Sequence, residues 1–345
     1  MNNIMYYNII MARFININGK TSYLNSVLYC LFNCEGFLDY FNSGSWIYDV
    51  RHYMRHLMNN NKINKYIVDS AIIGHSLVYV INDIVKSYNN DDKKINLRNM
   101  LDTLILLPLP REYINIITDS NEIYNVYNEG EKNVMKFINF FLKFISLEVE
   151  YKAIYKYNFS YTNKELFEKS LDKYSQEQWS IIKDLFGFQT VEIYSSEKGI
   201  VNKVNPIFLN VSIDCSSESF TDNNLIDIIK KQWFNQKSGN YTIFEYFFTI
   251  PKNLIIDLER GKNKLNIVIP LMFDITELKH PEYSQSNQIY ELYAVIYRSN
   301  DSSHYVSYIK KNDKWFKDNT EEIKDVVNFK NNSDSVPCVI FYKRI

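Results

Sequence analysis

The sequence predicts an α+β protein in which helices come first and a mainly antiparallel sheet follows. Three observations predict it. Before Gly187, apolar residues recur at helical spacing. After Gly187 come short runs rich in β-branched and aromatic residues, bounded by Asn, Asp, Ser and Gly. Helices grouped first and strands grouped later fit an α+β architecture.

The helical elements follow in order. Ser22 to Phe32 places Leu24, Val27, Leu28 and Leu31 on one stripe, with Thr21 or Ser22 as its N-cap. Trp46 to Met58 and Ser76 to Val85 are further amphipathic stretches. Val134 to Leu147 is the strongest helix, with Phe137, Phe140, Phe141 and Phe144 in a continuous stripe. Leu166 to Leu185 reads as helix too. The expected strands are Thr190–Tyr194, Ile207–Ile213, Leu254–Leu258, Leu265–Ile269, Tyr290–Tyr297, Tyr305–Lys310 and Val339–Lys343. One helix, Asn224 to Trp233, interrupts them. There is no internal repeat, and Asn-rich stretches such as Asn89–Asp92 and Asn300–Ser303 read as loops.

Composition bounds the function. The 345 residues are 46% hydrophobic and 23% charged, enough for a sizeable core. With 39 basic and 40 acidic residues the net charge is −1, which removes any general argument for nucleic acid or a membrane surface as partner. Four cysteines without a CxxC pair argue against a disulfide framework and a cysteine-rich zinc site. No apolar run reaches the length of a membrane span, and no signal peptide is read at the N-terminus. The expectation is a soluble protein of a reducing compartment, cytoplasmic and/or nuclear.

The stretch Asn18-Gly-Lys-Thr-Ser-Tyr-Leu-Asn-Ser-Val-Leu-Tyr-Cys-Leu-Phe32 carries the most chemistry. A hydroxyl in the first turn of an apolar helix sits where backbone N–H groups and the helix dipole converge, a place that stabilises an anion. The plain alternative is that Ser22 only caps the helix. Gly19-Lys20-Thr21 lacks the earlier glycine a phosphate loop needs, since Phe14 stands there.

At this point the chain resembles the ubiquitin-specific protease family. Gly19, Thr21, Tyr23, Asn25, Ser26 and Leu28 match the family's cysteine box, and Ser22 stands where its catalytic cysteine belongs. Tyr290-Glu-Leu-Tyr-Ala-Val295, then Ser303-His304-Tyr305-Val306, then Trp315 and Asn319 resemble its histidine box. Pro251 to Arg260 resembles its Leu-Pro strand, and Val339 to Lys343 its terminal strand. Pro270 to Leu278, with Pro281-Glu282, resembles the proteasome-associated members most, although their ubiquitin-like domain is expected to be absent.

The resemblance implies a papain-like fold. Residues 1–12 would be an N-terminal extension and 13–345 one protease-like domain, with a helical thumb over about 13–187 and a β palm with shortened fingers over about 188–345. It implies no cofactor and no metal, ubiquitin or its conjugates as partner, and the 26S proteasome as a further one. Ser22 would hold the nucleophile position, His304 the base and Asn319 the orienting residue, with Asp318 available after a one-residue shift. Asn16 and Asn18 flank Ile17, which stands where the family has its oxyanion asparagine. Asn133 and Lys136 replace two carboxylates that receive arginines of the ubiquitin tail, and Tyr305 would line the tail cleft. A lysine there repels an arginine-rich peptide. Several departures at one site point to a pseudoenzyme with lost or impaired hydrolysis that acts by binding. The alternative is a working thiol-dependent deubiquitinase in which serine has been put for Cys at position 22. An assembly module that ignores ubiquitin, and a hydrolase that uses Ser22 itself, complete the set.

Two further features have bland readings. His52 and His56 have the spacing of a metal pair but no third ligand. Cys30 and Cys34, also four apart, read as core residues. Tyr194-Ser195-Ser196 falls where zinc-bearing relatives carry a CxxC, so no zinc is expected.

Overall fold

A computed structural model describes residues 12–17, 21–51, 77–89, 94–106, 134–149, 179–215, 224–234, 236–259, 267–281, 288–300, 304–318, 323–326 and 335–345. Helix α1 (Ser22–Phe32) is apolar nearly all round, and every one of its residues is buried. Around it lie α2 (Glu35–Asn42), α3 (Leu77–Tyr88), α4 (Arg98–Leu106), α5 (Val134–Glu148) and α6 (Ile181–Phe186). A two-residue strand, β1 (Arg13–Phe14), pairs in parallel with β2 (Lys94–Ile95). Phe14 packs its ring on Tyr29, Phe32 and Tyr88. The stripe on α5 is core as expected, and Phe137 meets Tyr23 of α1 edge-on at 5.1 Å.

Beyond Gly187 the chain builds two sheets. The smaller joins β4 (Gly199–Phe208), β3 (Phe188–Ser196), β7 (Tyr241–Phe247) and β6 (Gln236–Ser238), in that order and antiparallel throughout. The larger runs β13 (Ile323–Val326), β12 (Lys314–Asp318), β11 (Tyr305–Lys311), β10 (Ile289–Ser299), β14 (Ser335–Arg344), β8 (Asn253–Glu259) and β5 (Val211–Asp214), and β9 (Met272–Asp274) adds to β10. All of its pairs are antiparallel except β5 with β8.

Both faces of the larger sheet are covered. Ile255, Ala294, Ile296, Tyr305, Ile309, Phe316 and Phe341 join the helical core on one side. Leu254, Ile256, Val295, Tyr297, Tyr308, Trp315 and Tyr342 form a second core with α7 (Leu225–Trp233) on the other. Double burial explains why Leu254–Ile256 and Leu292–Tyr297 are unbroken apolar runs, not alternating ones.

Several expected boundaries need correction. The run Ile207–Ile213 is two strands, because β4 ends at Phe208 and β5 starts at Val211. The described part of Leu265–Ile269 holds only an isolated bridge, Asn224 to Val268. Its apolar side chains Ile267 and Ile269 fill the second core without joining a sheet. The helix expected over 166–185 is interrupted within its described end: Ser180 is extended (φ −155°, ψ 165°) and its hydroxyl caps α6 by accepting the Lys183 N–H. The helix over 46–58 is described only to Arg51, and Asn89 alone of the Asn89–Asp92 loop is described. Among the described residues, no helix is long and apolar enough to cross a membrane.

Candidate functional site

The site forms where the start of α1 meets the start of β11. Thr21 precedes the helix but does not cap it with its side chain. Its hydroxyl instead accepts the Ile17 N–H at 2.9 Å, while Asn16 Oδ1 accepts the Thr21 N–H at 2.9 Å. These bonds tie Asn16 and Ile17 to the start of α1. Using Oδ1 this way leaves the Asn16 amino group as its remaining donor. Ile17 packs against the helical core. Asn18 lies outside the described residues.

Ser22 is the first residue of α1 and is 2% exposed. Its Oγ is not a helix cap. It accepts the backbone N–H of Tyr305, 283 residues away, at 3.1 Å. That bond places Ser22 next to His304, the residue before β11. His304 is half-buried, and its carbonyl accepts the Ser299 N–H at 2.9 Å, which ties the β10–β11 connection. The ring of Tyr305, expected to line a cleft, is 1% exposed and packs in the helical core. Its contribution at the site is therefore its backbone.

The register decides where Asp318 goes. It pairs with Ser307 on β11, so it shares the helix-facing side with Tyr305 and Ile309. Its carboxylate lies close enough to α1 to add to the burial that raises the Tyr29 hydroxyl and the Cys30 thiol well above their ordinary values. Ser26, one turn along α1 from Ser22, has a buried Oγ with no hydrogen-bond partner, and so does Ser307. Asn319 and Asn133 lie outside the described residues. Lys136 stands exposed in the first turn of α5, beside the Phe137 ring that packs on Tyr23.

Sequence reasoning missed Arg298. It pairs directly with Tyr305 across β10 and β11. Ala294 and Ile296, four and two residues before it, face the helical core, so Arg298 is directed to the same side. Its signal in the sequence was a charge at the end of an apolar strand, but only the register shows which residue it neighbours.

Among the described residues, no group of three His, Cys, Asp or Glu could hold a metal ion. His52 and His56 lie outside them. Cys30 and Cys34 are buried free thiols, and burial pushes Cys34 up to about 12, so neither is poised to ionise. The hairpin after Tyr194-Ser195-Ser196 is closed by hydrogen bonds: Ser196 Oγ accepts the Lys198 N–H and donates to the Gly199 carbonyl.

The family pattern described as ubiquitin carboxyl-terminal hydrolase matches residues 13–342. The chain belongs to that family. In this hydrolase-family chain the helices α1 to α6 and the larger sheet make an α+β fold of the kind the sequence implied. The family acts on ubiquitin substrates, which agrees with the resemblance read from the sequence. A comparison with curated proteins finds no match.

Proposed function

We propose that this family member binds ubiquitin or its conjugates through the thumb–palm cleft and that its hydrolysis is lost or impaired. The observation that carries the reading is the Tyr305 N–H to Ser22 Oγ bond, which ties the position of the family's nucleophile to the strand that bears His304. In the proposed arrangement Ser22 occupies the nucleophile position, His304 the base position and Asn319 the orienting position. Asn16, with Asn18, supplies the oxyanion donors, and Asn133, Lys136 and the backbone of Tyr305 border the tail. A serine hydroxyl is a far weaker nucleophile than a cysteine thiol and needs full proton removal by the base. Lys136 adds repulsion toward a basic tail.

The likeness of Pro270–Leu278 to proteasome-associated members supports a narrower proposal: the chain acts on the proteasome, in the cytoplasm or nucleus. Co-sedimentation with purified proteasomes tests that part, and a chain left in the unbound fraction counts against it.

The main experiment measures hydrolysis of a fluorogenic ubiquitin C-terminal substrate by this chain and by Ser22→Cys, each alone and with proteasomes. The reading expects no turnover by the chain itself. Turnover by the Ser22 form overturns the loss of activity. Turnover by Ser22→Cys alone favours the second reading, a thiol-dependent deubiquitinase whose remaining site is intact.

A further inference from the structure

We propose that Arg298 reads a free C-terminal carboxylate, so that the cleft retains unconjugated ubiquitin in preference to conjugates. The inference rests on the ubiquitin-binding reading above. Arg298 is half-buried at the end of β10, on the thumb-facing side of the palm. It stands one cross-strand step from Tyr305, whose N–H is bonded to Ser22. Among the described residues its guanidinium makes no hydrogen bond and no ion pair. A guanidinium held beside a protein cleft without a carboxylate partner is an anion-binding group with five donors in a planar fork.

The helix starts nearby add positive potential against the Asp318 carboxylate buried on the same sheet face. The start of α1 carries the positive end of the helix dipole, and its first turn holds no acidic residue. The first turn of α5, where Lys136 stands, holds none either. The bond that this family hydrolyses is a neutral amide, whereas the released tail ends in a carboxylate. An arginine with no ion pair among the described residues distinguishes these two ends, because only the carboxylate forms a charge-assisted pair with Arg298. Such a cleft resembles a product site more than a substrate site, which accords with a member that binds without turnover.

The test is calorimetric titration of the full chain with ubiquitin bearing its free C-terminal carboxylate and with ubiquitin amidated at that carboxyl, at fixed ionic strength. The carboxylate form is expected to bind about tenfold more tightly, as one charge-assisted pair allows. Arg298→Gln should bring the two forms together by weakening the carboxylate form alone. Arg298→Lys should keep part of the difference, because charge remains while the fork is lost. Equal affinity of the unaltered chain for both forms overturns the inference and leaves the ubiquitin-binding reading standing, as does a difference that survives Arg298→Gln. Failure of both forms to bind overturns that reading and this inference with it. The unaltered chain and Arg298→Lys decide the question even if Arg298→Gln fails to fold.

Discussion

Ser22 Oγ accepts the N–H of Tyr305 at 3.1 Å, and both residues are buried. The bond joins α1 to β11, so Ser22 has a structural task whatever its chemistry. Ser22→Ala strands a buried backbone donor, which costs about 1–3 kcal/mol. Urea denaturation should show this loss. Ser22→Cys should lose less, since sulfur is still a weak acceptor.

One turn along the same helix, the Ser26 hydroxyl is buried without a hydrogen-bond partner. Removing a polar group that is already unpaired carries no desolvation loss. Ser26→Ala is therefore expected to be neutral or stabilising, within about 1 kcal/mol, in contrast to Ser22→Ala. A clear destabilisation in the same urea assay would show that a bound water uses the hydroxyl.

Glu148, at the end of α5, accepts the N–H of Leu77 at 3.0 Å and of Val78 at 2.8 Å. It thereby caps α3 from another element. Glu148→Ala should cost about 1–2 kcal/mol by leaving two helix-end donors unsatisfied, read as a fall in melting temperature.

Burial raises Asp257 on β8 to about 7, with the charge of Glu259 adding to it. The folded state thus holds the proton more tightly than the unfolded chain, whose carboxyl titrates near its ordinary 3.8. The sign follows: the stabilising effect is whole below about 4 and is lost as pH rises toward about 7. Asp257→Asn should therefore stabilise the fold at pH 8, by about 1–2 kcal/mol, and change it little at pH 4. Melting curves across that range check it.

Gly187 marks the passage from α6 to β3. A Cβ there would lie 2.4 Å from the Lys183 carbonyl oxygen, a backbone atom that cannot step aside cheaply. Gly187→Ala is expected to cost about 1–3 kcal/mol, or to displace the end of α6. Thermal denaturation reads the cost, and unaltered stability would show that the junction gives.

Much of this protein was legible in its sequence because the signals are local. The stripe of α1 has its bounds at Ser22 and Phe32 in the structure, as read from the residues. The change at Gly187 and the box around Ser22 needed only neighbours in the chain. Strands β1, β2, β6, β7, β9, β12 and β13 were missed. The β11–β12 hairpin had a usable sign in Asn312-Asp313, both with positive φ, as its two-residue turn requires.

The sequence by itself determined the helix and strand composition, the family motifs and the residues that could do chemistry. Tertiary structure decided which of them meet. Ser22, whose plain reading was a helix cap, is bonded instead to β11 through a partner 283 residues away. Asp318 and Arg298 gained their places from cross-strand register, since one residue of slip would turn each to the other face. Tyr305 lost its expected cleft-lining ring because the helical core buries it. Local patterning is written in adjacent residues, whereas a site assembled from both ends of a chain exists only after packing has chosen the register.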